Sequence, residues 1–238
     1  MSAIEKNKTT VDGGACGAPP PNHHLPDEVL LDYASGAADE GVSLLVATHL
    51  TLCPICRDRA AELDALGGEL VENLPPADLS DDAFAKLLAR LDEPGSEPAA
   101  AEPARKEQAT DDATLPRVLQ RYVGAAAQDI PWQPLGLGVD HVDLSVEGGS
   151  RAMLLRVPEG RAVPQHTHEG NEYVLVLQGG FSDAHGHFVR GDVEASDDSV
   201  DHRPVADGGE DCICLAVTDA PLKLTSLVGR ALNRFAKL

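Results

Sequence analysis

The first third of the chain carries apolar residues with the period of an α-helix. Pro26, followed by two acidic residues, predicts the start of a first helix, which Gly36 ends. A second helix is predicted from about residue 39 to 52, and a third begins at Pro54, because proline suits the first helical turn. This segment is therefore predicted to form a small all-α bundle.

Two apolar stripes occupy the third and fourth helices. After a break at Pro75-Pro76, Ser80 predicts the N-cap of the fourth helix. Within each stripe the apolar residues lie three or four positions apart, so they share one helix face. The stripes consist of Leu63, Leu66, Leu70 and Leu74 on the third helix and of Phe84, Leu87, Leu88 and Leu91 on the fourth. They are predicted to be either an ordinary core or a surface that a partner covers.

The pattern changes after residue 113, where short apolar runs replace the helical period. The runs RAMLLRV (151–157), EYVLVLQG (172–179) and CICLAV (212–217) are bounded by Gly, Pro, Asp or Asn. Such runs predict strands of a sheet that is buried on both faces or closed into a barrel. The end of the chain, 224–238, returns to helical spacing and predicts a terminal helix.

Two segments without large apolar residues separate these parts. Residues 1–22 are polar and rich in Gly and Pro, which predicts a flexible tail. Residues 93–112 contain three prolines and predict a linker, which as a coil would span roughly 25 Å. The sequence therefore predicts two domains, an all-α bundle at 23–92 and an all-β domain at 113–238 that includes the terminal helix.

Composition and charge restrict the partners of the chain. Its 238 residues, 42% of them hydrophobic, are enough for two packed domains. The formal net charge of −20 makes nucleic acids and anionic membranes poor partners and a basic protein a better one. The N-terminus has no apolar signal-peptide region, and no apolar run is long enough to span a membrane, so a cytoplasmic location is expected.

His49, Cys53 and Cys56 form a first group with metal-ligand spacing. His49 and Cys53 are four residues apart on a helix, and Cys56 falls in the first turn of the next helix. The positive end of that helix is expected to lower the pKa of the thiols, and the thiolate is the form that binds metal. A tetrahedral zinc ion needs a fourth ligand, for which His24 is the best candidate and His23 its rival. The alternatives are a redox pair, which normally occurs in a βαβ context, and simple core packing.

The arrangement of His24, His49, Cys53 and Cys56 resembles the zinc-containing anti-sigma domain. The resemblance covers residues 23–92 and implies a helical bundle that binds zinc and sequesters an alternative sigma factor of the extracytoplasmic-function type. The same residues include 14 acidic and 4 basic side chains, a net charge of −10. An acidic bundle suits a sigma factor, which is a basic DNA- and polymerase-binding protein.

A second pattern, G(x)5HxH(x)3E(x)6G, is formed by Gly160, His166, His168, Glu172 and Gly179. Alternate residues of a strand point to the same side, so the two histidines share a face and the glutamate keeps that parity. The pattern resembles the first motif of the cupin family. This resemblance implies an all-β cupin barrel with a metal in its lumen.

His202, on a distant strand, is the candidate that completes this group. The second cupin motif is degenerate here, since Ala206 stands where the pattern has Asn. Three imidazoles and one carboxylate suit Zn, Fe, Mn or Ni, and the alternative is a cupin barrel without metal. Cys212 and Cys214 share one face of a predicted strand. They are either oxidation targets near the metal or small buried residues.

An anti-sigma domain followed by a cupin domain resembles the ChrR-type anti-sigma factors, over roughly residues 23–235. The resemblance implies no catalytic role. The chain would hold a sigma factor inactive and release it under oxidative stress, such as singlet oxygen, sensed through the cupin domain. A metal-dependent cupin enzyme, such as a dioxygenase with an N-terminal zinc module, is the main alternative, and a ligand-binding sensor is a third.

Overall fold

The computed structural model describes residues 20–92, 114–124, 127–136 and 138–225. The helices before residue 93 are α1 (Asp27–Ser35), α2 (Glu40–Leu52), α3 (Pro54–Glu72) and α4 (Ala83–Asp92). A further helix, α5 (Arg117–Val123), and a 3-10 turn (Ala127–Asp129) lead into the sheets.

Local sequence signals set most of the helix ends. The carboxylate of Asp39 caps α2 by accepting a hydrogen bond from the backbone of its first turn at 3.0 Å. Gly36 ends α1 in the left-handed conformation, with φ 74°. The start of α4 differs from the prediction, because the helix begins at Ala83 and the Ser80 hydroxyl donates to the Asp82 carboxylate at 2.8 Å.

The rest of the described chain is antiparallel β-structure. The strands are β1 (Gln133–Gly136), β2 (Val139–Leu144), β3 (Arg151–Val157), β4 (His166–His168), β5 (Glu172–Gln178), β6 (Gly180–Ser182), β7 (His187–Val189), β8 (Val193–Ser196), β9 (Asp201–His202), β10 (Val205–Ala206), β11 (Cys212–Thr218) and β12 (Leu222–Leu224). They form one six-stranded sheet, β1-β2-β3-β11-β5-β8, and two three-stranded sheets, β10-β6-β7 and β12-β4-β9. The three apolar runs of the sequence become β3, β11 and β5, which are adjacent in the large sheet.

Side chains of β11 alternate between two hydrophobic clusters. Leu215 packs in a cluster with Leu45 of α2 and Leu154 of β3. Cys214 faces the other way and joins a cluster with Phe181 of β6. The predicted fold class, an all-α N-terminal part and an all-β cupin domain, is confirmed. Among the described residues the strands form three sheets, and their hydrogen bonding does not close into one continuous barrel.

The helices and the large sheet pack directly on each other. Helix α2 lies against β11 and β5, so one hydrophobic cluster spans both parts. Besides capping α2, Asp39 accepts hydrogen bonds from the backbone N–H of Ser150 at 2.8 Å and from its hydroxyl at 2.7 Å. The Tyr122 hydroxyl of α5 donates to Glu40 of α2 at 2.8 Å. The bundle predicted from the sequence therefore does not stand apart from the cupin domain.

Three further predictions concern the ends and the linker. The predicted tail, 1–22, is described only at its end, where Pro21 is buried. The predicted linker, 93–112, lies outside the described residues. Leu224, the first residue of the predicted terminal helix, belongs to β12 and pairs with His166, and residues 226–238 lie outside the description. No helix in the described part of the chain has the length and apolar character needed to cross a bilayer.

Candidate metal centres

Four predicted ligands come together where α2 ends and α3 begins. Each of His24, His49, Cys53 and Cys56 offers one ligand atom, and these atoms lie within 4.8 Å of one another. The Cys53 sulfur is 3.4 Å from His24 Nδ1, and it accepts a hydrogen bond from the backbone N–H of Cys56 at 3.4 Å. Cys53 is thus both the N-cap of α3 and a member of this first group.

His23, the alternative fourth ligand, points away from the first group. Its ring centroid lies 4.4 Å from that of Phe188, and its Nδ1 lies 3.4 Å from the Asp192 carboxylate. The structure therefore places His24, and not His23, beside the two cysteines.

The chemistry of the first group fits a zinc ion. His49 is fully buried, and neither of its ring nitrogens makes a hydrogen bond of normal geometry with the described residues. A poorly paired buried polar atom is costly, and binding of a metal by one of these nitrogens would remove part of that cost. Burial lowers the pKa of His49 to about 4, which leaves the imidazole neutral and able to bind. Two thiols and two imidazoles are a donor set typical of structural zinc.

The pKa of the Cys56 thiol in the first group differs from the expectation. The start of α3 was expected to lower the pKa of the cysteines, but burial raises the pKa of Cys56 to about 11. Loss of solvation outweighs the field of the helix end. At this raised pKa the Cys56 thiol is protonated near pH 7, and a metal that binds there must displace the proton.

His166, His168, Glu172 and His202 form the second group, with all four side chains buried and one ligand atom of each within 4.8 Å of the others. His202 Nε2 lies 3.1 Å from His166 Nε2 and 3.4 Å from His168 Nε2. His168 Nε2 lies 3.6 Å from the Glu172 carboxylate. Strand pairing produces this geometry, because β4 and β9 are antiparallel and His166 stands opposite His202.

Burial sets the protonation of three members of the second group. It lowers the pKa of His166 and of His168 to about 4, so both imidazoles are neutral near pH 7. It raises the pKa of Glu172 to about 7, because the charged carboxylate loses its solvation. His168 Nδ1 is buried without a hydrogen-bond partner in the described residues. Neutral imidazoles beside a carboxylate are a suitable donor set for a divalent metal.

Asp183 and Glu194 lie behind His202 and were not among the residues predicted from the sequence. His202 Nδ1 is 2.8 Å from the Asp183 carboxylate and 3.2 Å from that of Glu194. Burial opposes protonation of His202, but these carboxylates outweigh it and raise the pKa of His202 to about 9. A carboxylate at one ring nitrogen orients the other nitrogen toward a metal. The sequence signal is weak, since Glu194 stands in a short strand and Asp183 in a turn after β6.

Cys212 and Cys214 lie on the inner face of β11, with their sulfur atoms 3.4 Å apart. Both are buried, and they line a cavity of about 70 Å³ together with Glu172 and Glu194. A hydrogen bond with Cys212, together with burial, raises the pKa of Cys214. The pair is therefore close to the second group, and Cys214 is held in the thiol form.

A larger cavity of about 600 Å³ lies beside the second group, with His166 and Glu172 in its lining. The other walls are mainly apolar. They include Leu135, Val139, Met153, Leu155, Val163, Leu222 and Leu224. A small apolar molecule fits such a space.

Comparison with known proteins agrees with this geometry. The family model described as the ChrR cupin-like domain matches residues 120–221. The chain is 44% identical over 216 residues to the anti-sigma-E factor ChrR of Cereibacter sphaeroides, a match that covers 91% of this chain and 98% of the relative. The chain belongs to the ChrR family of anti-sigma factors. The family resemblance inferred from the two motifs is therefore confirmed.

A solved structure extends the ChrR-family match to three dimensions. It is the crystal structure of Rhodobacter sphaeroides SigE in complex with the anti-sigma factor ChrR. The TM-score is 0.70 at 44% identity, and the match covers 84% of this chain and 100% of that chain. Both halves of the ChrR-family chain therefore have a counterpart of known structure.

The ChrR-family fold leaves the two leucine stripes of α3 and α4 largely uncovered. Phe84 is 71% exposed and Leu91 is 73% exposed. The other exposed members are Leu66, Leu70 and Leu74 on α3 and Leu87 and Leu88 on α4. Leu63 differs, because it packs against the core. Of the two sequence-based interpretations, the geometry favours a surface for a partner over an ordinary core.

Proposed function

We propose that the chain is a zinc-dependent cytoplasmic anti-sigma factor. It sequesters a sigma factor of the extracytoplasmic-function type and releases it when the cupin domain senses singlet oxygen or a related oxidant. The observation that carries the proposal is the pair of exposed leucine stripes beside a group of two histidines and two cysteines, three of them buried, in a chain of the ChrR family.

Sequestration depends on surface complementarity and needs no chemical step. Burying one exposed leucine against a partner contributes about 1.5–3 kcal/mol, so the few large side chains of α4 supply a substantial part of the binding energy. The net charge of −10 on residues 23–92 attracts a basic protein and speeds its association. The sigma factor is then kept from RNA polymerase.

Zinc in the first group would hold three helices together. His24 precedes α1, His49 lies near the end of α2, and the two cysteines flank the start of α3. A metal joined to all four would fix the angles between these helices and contribute to folding. The stripe on α3 continues from this fixed end, so its orientation depends on the metal group.

The cupin domain offers two points where an oxidant can act. A divalent metal, Zn, Fe, Mn or Ni, would be held by the second group and would supply coordination positions open to a small ligand. Cys212 and Cys214 lie beside it as oxidisable thiols. Both points lie within the domain that packs on α2, so a change there can reach the helices.

The docking surface can be tested with purified SigE of Rhodobacter sphaeroides, the sigma factor of the solved complex. The double variant Leu87→Asp and Leu91→Asp is expected to lose about 100-fold or more in affinity, because charges replace two leucines that the partner would bury. Leu31→Asp on α1 is the matched control, since Leu31 is 51% exposed and Leu87 is 55% exposed. Titration calorimetry measures all three proteins. Equal binding by the double variant and the control would refute the proposed surface.

A metal-dependent cupin enzyme is the second candidate function. The apolar cavity of about 600 Å³ beside His166 and Glu172 favours it, because a substrate there would lie next to the metal. Oxygen uptake by the iron-loaded chain with small diketones or catechols tests this candidate. Sustained uptake that His166→Ala abolishes would support an enzyme, and its absence would leave the regulatory function.

A further inference from the structure

A turn of the cupin domain, 189–193, lies against the segment that carries His24. Asp192 belongs to this turn, and its side chain is fully buried. Its carboxylate accepts backbone hydrogen bonds from Asn22 at 2.6 Å and from His23 at 2.9 Å. Asp192 therefore holds the two residues that immediately precede a member of the first metal group.

Backbone contacts of the same turn also fix the segment before His24. The N–H of Val193 donates to the carbonyl of His23 at 3.2 Å. Gly191 has φ 92°, and a Cβ atom at this position would lie 2.7 Å from the Pro21 ring. Glycine is therefore required for the turn to approach the chain just before His24.

Strand β8 connects this turn to the second metal group. Glu194 directly follows Val193, and its buried carboxylate lies 3.2 Å from His202 Nδ1. Asp192 and Val193 thus contact the residues just before His24 of the first group, and the next residue, Glu194, contacts His202 of the second group. Val193 and Glu194 pair with β5, and the N–H of Val176 on β5 donates to the carbonyl of Asp192 at 3.0 Å, so one strand holds all three residues in place.

We propose that Asp192 is a positioning residue of the first metal group and that β8 couples the two groups. Metal in the cupin domain then changes the metal affinity at His24, His49, Cys53 and Cys56. By thermodynamic linkage the effect is reciprocal. The inference rests on the metal-binding part of the proposed function and does not depend on sigma-factor binding.

Cobalt(II) allows the first group to be observed alone. Cobalt bound to thiolates gives an intense near-ultraviolet charge-transfer band, whereas imidazoles and a carboxylate give only weak bands in the visible range. Titration of the metal-free full chain with Co²⁺ at that band therefore reports the affinity of the first group. A readout of this kind is distinct from stability and from any activity of the chain.

Asp192→Ala is expected to lower the Co²⁺ affinity of the first group by about 10- to 100-fold, as loss of a group that orients a ligand does at other sites. Asp192→Asn keeps one acceptor oxygen and the side-chain volume, and is expected to restore part of the affinity. Glu159→Ala is the control. It removes a carboxylate that accepts a backbone hydrogen bond from Gly209 at 2.7 Å on a different loop, and its affinity should stay within about twofold of the parent.

The coupling is tested by removing a ligand of the second group. His202→Ala is expected to change the Co²⁺ affinity of the first group by about 3- to 10-fold in a chain that keeps Asp192. In the Asp192→Ala background the same substitution should have no further effect, because the connection is already broken. Circular dichroism verifies that the variants retain the helix content of the parent.

The outcomes separate this inference from the proposal on which it rests. A parent chain without a thiolate–cobalt band would overturn the metal proposal, and the inference with it. A normal band with unchanged affinity in both Asp192 variants would overturn the positioning role alone. An equal effect of His202→Ala with and without Asp192 would overturn the coupling through β8.

Discussion

At the scale of single residues, neighbours distant in sequence decide how each ligand behaves. His166 and His202 are both buried imidazoles, yet the pKa of His166 falls to about 4 and that of His202 rises to about 9. The difference comes from Asp183 and Glu194, which face His202 Nδ1. Burial alone keeps an imidazole neutral, whereas buried carboxylates stabilise its cation.

These protonation states predict a pH dependence of metal binding at the second group. Glu172, with a pKa of about 7, and His202, with a pKa of about 9, hold protons that a metal must displace. Below pH 7 about two protons leave on binding, and between pH 7 and 9 about one leaves, so the affinity rises with pH throughout this range. Calorimetric titration with Mn²⁺, which prefers these ligands to thiolates, measures the released protons in buffers of different ionisation enthalpy.

Glu172→Gln is the control for this pH dependence. It cannot release a proton, so the number released at pH 6 should fall from about two to about one. The same proton count at pH 6 and pH 8 in the parent chain would contradict the assignment of these pKa values.

At the scale of elements, the position of α2 depends on a glycine that allows close approach to the sheet. A Cβ atom on Gly41 would lie 2.3 Å from the Ser150 hydroxyl and 3.4 Å from Val217 of β11. The Ser150 hydroxyl cannot move away freely, because it donates to Asp39 at 2.7 Å. Helical period predicts α2 from the sequence, but it does not predict which face lies against the sheet.

Gly41→Ala is therefore expected to lower the free energy of unfolding by about 1–3 kcal/mol, since the added methyl group overpacks the interface. Gly68→Ala is the matched control in α3, where nothing lies within 4 Å of the added atom. It should raise the free energy of unfolding by about 0.5–1 kcal/mol, because alanine is the better helix former. Urea unfolding distinguishes the two signs, and a gain in stability for both variants would show that Gly41 is not confined.

At the scale of the whole molecule, the helices and the cupin sheets form one packed body. The buried side chain of Leu45 on α2 belongs to the same cluster as Leu154 and Leu215 of the large sheet. The sequence predicts two domains with a linker between them, and in the structure the described parts of both share a common core. Removal of either part would expose apolar area, which costs free energy in proportion to that area.

Leu45→Ala is expected to lower the stability of both parts together, by about 2–5 kcal/mol. Circular dichroism follows mainly the helices, and fluorescence follows Trp132, the single tryptophan, which lies 5.0 Å from the Arg156 guanidinium on the cupin side. The two transitions should shift by the same amount. Leu31→Ala, at a position 51% exposed, should change stability by less than about 0.5 kcal/mol. A shift in dichroism alone would indicate that the parts unfold separately.

The sequence by itself determined the helices α1 to α4, the strands β3, β5 and β11, and most of the candidate ligands. Helical period, strand alternation and turn residues are local, so they can be recognised without knowledge of the fold. The same holds for His49 and Cys53, four apart on one turn, and for His166 and His168, which share a strand face. These relations depend only on backbone geometry.

The tertiary structure alone decided which distant residues meet and what each environment does to them. It placed His24 rather than His23 beside the cysteines, and it placed Asp183 and Glu194 behind His202. It also raised the pKa of Cys56, where the helix end had suggested the opposite. Burial and long-range contacts arise from the packing of segments far apart in the chain, so no local pattern carries them.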